Sequence, residues 1–331
     1  MDIAILKQTA QAMVTSPKGL LAADESSKTI QKRFDALNIE CTEENRLAYR
    51  KMLFTTPGVE EFLSGIILYD ETLRQSTSDG TPIPKLLKDK GIISGIKVDK
   101  GAWELPNFPG EKFTEGLDGL RDRLKEYSDM GARFAKWRAV ITIGEGMPSD
   151  VCIETNAESL ALYASLCQEA NIVPIVEPEV LLDGAHTIEQ CFDAQIKTLK
   201  KVFERLKGHK VVLEGMILKP SMVLSGKDCS IQADSKTVAK MTVDALKQSV
   251  PGEVAGIAFL SGGQSSQSSI ENLAEINKIG GPWPLTFSYS RGLQNDPMKI
   301  WNGKAENAKS AQDDFYKRCK SASLARQGKL S

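Results

Sequence analysis

The centre of the chain holds a strand–helix–strand unit, read as IVPIVEPEV (172–180), IEQCFDAQIKTLKKVFERL (188–206) and VVLEGMILKP (211–220). The first and third segments are short, apolar and rich in β-branched residues, which is typical of strands buried on both faces. The middle segment repeats apolar residues at the spacing of one helix face, and Gly208 follows it as a stop. Two strands joined by a helix predict a parallel pair, because parallel neighbours need a long crossover.

The same alternation extends in both directions along the chain. Strands are predicted at residues 19–26, 64–71, 92–100, 132–140, 172–180, 211–220, 254–263 and 284–292. Helices are predicted at residues 117–127, 156–169, 188–206, 235–246 and 269–279. Ser235 is the predicted N-cap of the fourth helix. Residues 101–110 are rich in Pro and Gly, which predicts a long loop after the third strand.

Eight strands with helical connections predict an α/β fold, the (β/α)8 TIM barrel, whose usual size is about 250 residues. The surplus of this 331-residue chain is assigned to an extra N-terminal helix and to a helical stretch from residue 306 onward. No linker, repeat or low-complexity tract divides the chain, so residues 1–331 are predicted to form one barrel domain. An open doubly wound sheet is the alternative, but the chain has neither a G-x-G-x-x-G motif at a helix start nor a Walker-type lysine motif.

The amino-acid composition argues against several classes of protein and of catalytic site. The 42 Lys and Arg residues nearly balance the 43 Asp and Glu residues, which argues against a nucleic-acid-binding protein. Apolar runs have only strand length, so no membrane span is predicted. Six scattered cysteines without a C-x-x-C motif predict reduced thiols and a cytoplasmic protein. The two histidines, His186 and His209, do not form a typical zinc site or a His-based triad and are predicted at the surface or in loops.

Charged residues gather at the carboxyl ends of the predicted strands. Lys136 and Arg138 share one face of their strand, and Glu177 and Glu179 share one face of the next. In a barrel these ends converge on the face where catalytic groups are found. Mutual neutralisation of buried charges is the structural alternative for any one pair. Charges at the same end of five strands favour a catalytic or binding site.

Lys219 is the most informative single residue. It lies between the apolar residues 216–218 and Pro220, so its amine is expected to emerge from a dry strand end. Desolvation lowers the pKa of a lysine, and a second ammonium such as Lys136 would lower it further. A lysine with a lowered pKa can form an imine with a carbonyl substrate. On this motif alone, a lysine that extends along apolar surface to reach solvent is the commoner explanation.

The segment SGGQSS (261–266) follows the seventh predicted strand. In TIM barrels, phosphate sites often lie on the loops after strands seven and eight. The glycines let backbone N–H groups approach an anion, Ser261 can donate, and Arg291 after the eighth strand can bind the same anion. For the loop taken alone, an ordinary Gly/Ser turn is the alternative.

Eight short motifs follow one another along the chain: LAADES (21–26), GIKVDKG (95–101), FAKWR (134–138), IVEPE (175–179), LEG (213–215), LKP (218–220), FLSGGQ (259–264) and LTFSY (285–289). Together they resemble class I fructose-1,6-bisphosphate aldolase. One such motif would be weak, but eight in register are specific. The resemblance implies reversible aldol cleavage of fructose 1,6-bisphosphate to dihydroxyacetone phosphate and glyceraldehyde 3-phosphate, in glycolysis and gluconeogenesis. It also implies a lysine imine without metal or cofactor, and a cytoplasmic homotetramer.

The resemblance further implies roles for single residues. Lys219 would form the imine, and Glu177 would shuttle protons during its formation. Asp24 would take the C4 hydroxyl proton, and Lys136 would lower the pKa of Lys219 and contact the intermediate. Glu179 would orient and charge-balance the lysines. The C1 phosphate would be bound by Ser261, Gly262, Ser288 and Arg291. The C6-phosphate side would have Ser26, Lys97 and Arg138, and Arg33 would close over the substrate.

Two features depart from the family pattern. The chain ends QGKLS (327–331), without the longer tail whose terminal tyrosine assists proton transfer in many members. It also reads SKT (27–29) where the family often has Thr-Gly-Ser. A transaldolase, or a sugar-phosphate aldolase of different specificity, is the alternative enzyme. A scaffold for cytoskeletal or other partners, with or without catalysis, is the alternative from another class.

Overall fold

The computed structural model describes residues 1–330 and shows a closed parallel barrel, which confirms the (β/α)8 fold prediction. The strands of the barrel are β1 (Gly19–Ala23), β2 (Leu63–Leu68), β3 (Ile93–Lys97), β6 (Phe134–Ile141), β7 (Val173–Val180), β8 (Ile217–Leu218), β9 (Gly256–Phe259) and β10 (Leu285–Tyr289). A separate antiparallel hairpin consists of β4 (Ala102–Glu104) and β5 (Lys112–Thr114). Around the barrel the strand order is β1-β10-β9-β8-β7-β6-β3-β2.

Helices connect the strands and extend the barrel at both termini. They are α1 (Ile3–Met13), α2 (Ser27–Asp35), α3 (Glu43–Phe54), α4 (Asp70–Arg74), α5 (Ile83–Asp89), α6 (Leu120–Asp129), α7 (Asp150–Glu169), α8 (Ile188–Gly208), α9 (Ser235–Ser249), α10 (Ser266–Ile279), α11 (Arg291–Trp301) and α12 (Ala308–Ala325). The predicted extra helices are α1 and α12. Within residues 1–330, no helix is both long enough and apolar enough to cross a bilayer.

The amino-terminal end of the barrel is closed by α1. Leu6, Ala10 and Met13 of this helix are fully buried and pack with side chains from the barrel interior. The fit at this end requires Gly95, because a Cβ there would lie 2.1 Å from the ring of Phe134. Apolar side chains therefore fill this end. Polar side chains that could bind or react are expected at the opposite end, where the strands finish.

The predicted strand at 211–220 is wrong over most of its length. A 3₁₀ turn occupies Leu213–Gly215, and only Ile217–Leu218 pairs as β8. The Gln168 side chain donates to the carbonyls of Val212 and Gly215 and accepts from the Val212 N–H. These contacts take the place of strand pairing, and an apolar run cannot reveal them.

The loop prediction at 101–110 and the predicted cap of α9 are also corrected. The predicted loop includes the first strand of the hairpin, in which Trp103 of β4 pairs with Phe113 of β5. Its Pro residues lie in the connection between β4 and β5. The cap of α9 is Asp234, whose carboxylate accepts from the Thr237 N–H at 2.8 Å. Ser235 is instead the first residue of the helix.

The end of α12 is fastened to the segment between α1 and β1 by the buried residue Arg326. Its guanidinium donates to the carbonyl of Thr15 at 2.6 Å and also to the carbonyls of Val14 and Lys18. Buried carbonyls at the end of a helix and in a loop need donors. Arg326 adds to the Lys18 N–H, which donates to Thr15, and to the Thr286 hydroxyl, which donates to Lys18.

We expect Arg326→Met to lower the free energy of unfolding by about 2–4 kcal/mol, because it leaves three backbone carbonyls without this donor. Urea unfolding followed by circular dichroism measures the change. Arg121→Met is the matched control, since Arg121 pairs with Glu169 at the exposed surface and should change stability by less than about 0.5 kcal/mol. Equal effects of the two substitutions would contradict this role of Arg326.

Candidate active site

A cavity of about 550 Å³ opens at the carboxyl ends of the barrel strands. Its lining includes each residue that the sequence and the resemblance place in the site: Asp24, Ser26, Arg33, Lys97, Lys136, Arg138, Glu177, Glu179, Lys219, Ser261, Gly262, Ser288 and Arg291. Glu25, Lys32 and Ser290 also line the cavity, although the sequence assigned them no role. Closure of the barrel brings these side chains together from all parts of the chain.

Lys219 follows β8 directly, and its side chain is almost completely buried. Its backbone N–H still donates to the carbonyl of Val176 in β7, at 2.8 Å, so the barrel ladder fixes its position. Its Nζ lies 3.2 Å from Oε1 of Glu177. An amine in direct contact with a buried carboxyl group has a partner that can take up or deliver a proton.

Lys136 in β6 is in ionic contact with three carboxylates, and two of them, Asp24 and Glu177, are candidate catalytic residues. Its Nζ lies 2.7 Å from Oδ2 of Asp24, which follows β1, and 3.6 Å from Oε2 of Glu177. Glu177 therefore lies between the ammonium group of Lys136 and the amine of Lys219. These four side chains form one network, and they come from four strands or strand ends of the barrel.

The network sets the charge of its members. Burial raises the pKa of Asp24, but the ammonium groups of Lys136 and Lys219 outweigh this and lower it to about 2. Burial lowers the pKa of Lys136, but the carboxylates of Asp24 and Glu177 outweigh this and raise it well above its ordinary value. Asp24 is therefore a carboxylate and Lys136 an ammonium at neutral pH. An ionised carboxylate of this kind can act as a base.

Arg138 and Glu179 form a second ion pair at the wall of the cavity. Arg138 lies two residues after Lys136 in β6, and Glu179 lies two residues after Glu177 in β7. The Nε of Arg138 donates to Oε2 of Glu179. The ionic contact of Glu179 in the described part of the chain is thus with an arginine, whereas the resemblance implied contact with lysines.

Arg33 is held at the mouth of the cavity by two residues that the sequence did not single out. Its Nη1 lies 2.7 Å from Oε1 of buried Glu25, and its Nη2 donates to Oγ of Ser290 at 3.1 Å. Ser290 in turn donates to Oε1 of Glu25 at 3.0 Å. Glu25 could be inferred from its place beside Asp24, but Ser290 could not, because its contact joins distant parts of the chain.

The loop after β9 has the geometry of an anion site. Gly262 and Gly263 have φ values of 49° and 86°, a backbone conformation that favours glycine and leaves no side chain between the backbone of the loop and the cavity. Ser288 in β10 is buried, and its Oγ has no hydrogen-bond partner within residues 1–330. Arg291, at the start of α11, lines the same part of the cavity. Unused donors beside a guanidinium are what a bound phosphate needs.

The other side of the cavity holds Ser26, Thr29, Lys32 and Lys97. The hydroxyl groups of Ser26 and Thr29 are hydrogen-bonded at 3.1 Å, so the threonine of the SKT segment keeps a hydroxyl at this place. Lys97 contacts Asp99, a buried residue to which the sequence assigned no role. The cavity thus has cationic and hydroxyl groups on two sides of its lysine–carboxylate centre.

Both histidines lie in loops, as predicted, but the loop position of His186 is not at the surface. This residue is buried, and burial lowers the pKa of its imidazole. It lies in the segment after β7, which is covered by residues 226–228: the Gly226 N–H donates to its carbonyl at 2.8 Å. His209 is partly exposed and lies 2.8 Å from Glu158. In residues 1–330, no group of three His, Cys, Asp or Glu side chains is arranged to hold a metal ion.

The chain is similar to known proteins over nearly its whole length. Residues 5–331 match the family model described as fructose-bisphosphate aldolase class-I. A probable fructose-bisphosphate aldolase class 1 of Xanthomonas campestris is 54% identical over 331 residues, with 99% of each chain covered. The cytosolic fructose-bisphosphate aldolase 4 of Arabidopsis thaliana is 50% identical over 316 residues, covering 95% of this chain and 80% of the relative.

A solved structure is similar over almost the full length. It is fructose-bisphosphate aldolase from Plasmodium falciparum, in a ternary complex with TRAP and a small-molecule inhibitor. Its TM-score is 0.98 at 48% sequence identity, and the match covers 99% of this chain and 95% of that chain.

Proposed function

The chain belongs to the class I fructose-bisphosphate aldolase family, and from this premise we propose that Lys219 forms the imine through which it cleaves fructose 1,6-bisphosphate. The protein is a carbon–carbon lyase of glycolysis, and its products are dihydroxyacetone phosphate and glyceraldehyde 3-phosphate. The observation that supports the proposed site is the buried Lys219 amine 3.2 Å from Glu177, with Lys136 between Glu177 and Asp24.

Imine formation begins with attack of the Lys219 amine on the C2 carbonyl of the open-chain sugar. The resulting carbinolamine must lose its hydroxyl group as water, and Glu177 is the adjacent group that can deliver the proton. The product is a protonated imine, which attracts electrons more strongly than the carbonyl did. The ammonium of Lys136 stabilises negative charge that develops on the substrate oxygens.

Cleavage then needs a base for the C4 hydroxyl group. Asp24 is ionised, because its pKa is lowered to about 2, and it takes this proton. As the C4 oxygen becomes an aldehyde, the C3–C4 bond breaks and its electron pair moves into the imine, giving an enamine. Glyceraldehyde 3-phosphate leaves, and C3 takes up one proton, which balances the one that Asp24 removed and then releases. Water hydrolyses the imine to release dihydroxyacetone phosphate and free Lys219.

The two phosphate groups of the substrate would occupy the two sides of the cavity. We assign the C1 phosphate to the loop after β9 with Ser288 and Arg291, and the C6 phosphate to the side with Ser26 and Lys97. Each side offers hydroxyl or backbone donors next to a cation, the combination that binds phosphate best in proteins. Separation of the phosphates holds C2 near Lys219 and the C4 hydroxyl near Asp24.

The proposal is tested by trapping the imine. The protein is incubated with dihydroxyacetone phosphate and EDTA, reduced with borohydride, and digested for peptide mass spectrometry. We expect one adduct, on Lys219. An adduct confined to other lysines, or none at all, would refute the assignment of the imine to Lys219.

The proposal also covers the oligomeric state, the cellular location and binding partners of the protein. A homotetramer in the cytoplasm, acting in gluconeogenesis as well as glycolysis, is what the resemblance implies, and a cytosolic plant relative supports the location. Light scattering coupled to gel filtration tests the tetramer. The complex of the Plasmodium relative with TRAP supports testing a scaffold role too: binding of a cytoskeletal partner should survive in an inactive Lys219→Met variant.

A further inference from the structure

Lys97 and Lys136 are direct neighbours in the barrel. They are register partners on the adjacent parallel strands β3 and β6. Both side chains are largely buried, with 15% and 5% of their surface exposed. Like charges that face each other across neighbouring strands repel, and burial strengthens the repulsion because less water screens it. A group between them must offset this repulsion if both are to remain charged.

Asp99 is that group. Its Oδ1 accepts from Nζ of Lys97 and from the Gly101 N–H at 3.2 Å. Its Oδ2 accepts from the Arg138 N–H at 3.3 Å and lies 3.8 Å from Nζ of Lys136. Two backbone N–H groups therefore fix the carboxylate in place between the two ammonium groups, and its side chain is only 3% exposed.

The two lysines depend on Asp99 to different degrees. Lys136 also has Asp24 and Glu177 as carboxylate partners. In the described part of the chain, the only carboxylate in ionic contact with Lys97 is Asp99, and its Nζ also donates to the Asp99 carbonyl at 2.6 Å. Loss of the Asp99 charge must therefore affect Lys97 more than Lys136.

We propose that Asp99 is a positioning residue that keeps the Lys97 ammonium at the C6-phosphate side of the cavity and so determines the preference for a bisphosphate over a 1-phosphate sugar. The inference rests on the proposed function, because it takes from it the place of the C6 phosphate. An ammonium group has three N–H donors. Two of those of Lys97 bind Asp99, so the third is held in one direction and is free for a phosphate oxygen.

The charged groups around Lys97 decide how it responds to pH. They are Asp99, Lys136 on β6 and Asp24 after β1. Burial lowers the pKa of Lys97 below its ordinary value, Asp99 opposes this, and Lys136 adds to the lowering. Without the Asp99 charge the pKa falls further. Lys97 then loses its proton at a lower pH, and phosphate binding weakens on the alkaline side.

The test compares two substrates in Asp99→Asn, which keeps the shape of the side chain and removes its charge. For fructose 1,6-bisphosphate, we expect KM to rise roughly tenfold at alkaline pH, with the alkaline limb of its pH profile moved to lower pH. For fructose 1-phosphate, which lacks the C6 phosphate, the rise in KM should be smaller, so the preference for the bisphosphate, measured as the ratio of the two kcat/KM values, should fall. Asp99→Glu should restore part of the bisphosphate affinity.

A double-mutant cycle decides whether Asp99 acts through Lys97. Lys97→Gln alone should raise KM for the bisphosphate, and adding Asp99→Asn should raise it no further. Additive effects, an unmoved pH profile, or equal losses on both substrates would overturn the inference. If Asp99→Asn does not fold, the double variant, which removes both charges, still gives the comparison with Lys97→Gln. Borohydride trapping on Lys219 in each variant separates failure of this inference from failure of the proposed function.

Discussion

Lys219→Met is expected to lower the rate of fructose 1,6-bisphosphate cleavage by about 10⁵-fold or more. Methionine has an unbranched apolar side chain like the stem of lysine but no amine, so no imine can form and the electron pair of the C3–C4 bond has no acceptor. Removal of a covalent nucleophile leaves only the acceleration due to binding and orientation, which is why the loss is so large. A coupled assay of triose phosphate formation measures it.

The packing around Lys219 indicates that Lys219→Met removes the amine without disturbing the fold. The side chain is nearly buried, and methionine fills a similar volume without leaving an uncompensated charge. Glu177 loses one ionic partner but remains 3.6 Å from Lys136. We therefore expect little change in thermal stability, and substrate should still bind through its phosphate groups.

The matched control is Lys240→Met, an exposed lysine on α9 that pairs with Asp244. It should retain full activity and give the same borohydride adduct as the unchanged protein. Cleavage by Lys219→Met at more than about one hundredth of the normal rate would show that another group carries the reaction. Restoration of activity by an added primary amine would instead support the imine.

The barrel itself could be predicted because the spacing of apolar residues distinguishes its strands from its helices. Strands buried on both faces read as continuous apolar runs, and amphipathic helices read as stripes, so the order of elements was clear from local pattern. Residues 211–220 show where this fails. Their apolar character reflects burial, but the Gln168 contacts that turn part of the segment out of the sheet come from a distant helix.

In the candidate site, too, some features could be predicted from local sequence and others depend on contacts between distant residues. Lys136 and Glu177 attract attention because each is a charge in an apolar strand, and a barrel predicts where they meet. The identity of partners could not be predicted, since it depends on which rotamers and strand registers bring atoms within 4 Å. The pairing of Glu179 with Arg138 is one example. The place of Asp99 between two lysines is another: its spacing from Lys97 indicates a shared face, but only the register of β3 with β6 shows what it separates.

Asp24→Asn is expected to lower the cleavage rate by about 10³-fold while leaving imine formation intact. The amide keeps the shape of the carboxylate but cannot take the C4 hydroxyl proton, and loss of a general base costs roughly 10²–10⁴ in rate. Formation of the imine on dihydroxyacetone phosphate needs no C4 hydroxyl group. Borohydride trapping on Lys219 should therefore proceed. This outcome would distinguish the role of Asp24, in cleavage, from the roles of Lys219 and Glu177, in imine formation.

The pH dependence gives a second readout of Asp24. Because its pKa is lowered to about 2 by the neighbouring ammonium groups, it is ionised throughout the range in which the protein is assayed. Its protonation in the free protein should reduce kcat/KM only as the pH falls toward 2, so an acid limb of the kcat/KM profile between pH 5 and 7 cannot be due to Asp24. Such a limb should persist in Asp24→Asn at the lower rate.

The control for Asp24→Asn is Asp183→Asn, an exposed aspartate near the cavity that pairs with Lys227. It removes the same charge without touching the network and should change kcat by less than about twofold. If Asp24→Asn loses imine trapping as well as cleavage, Asp24 acts by holding Lys136 in place, and the base for the C4 hydroxyl must be sought elsewhere. Loss of cleavage with trapping preserved supports proton removal by Asp24, because imine formation on Lys219 is then shown to work without it.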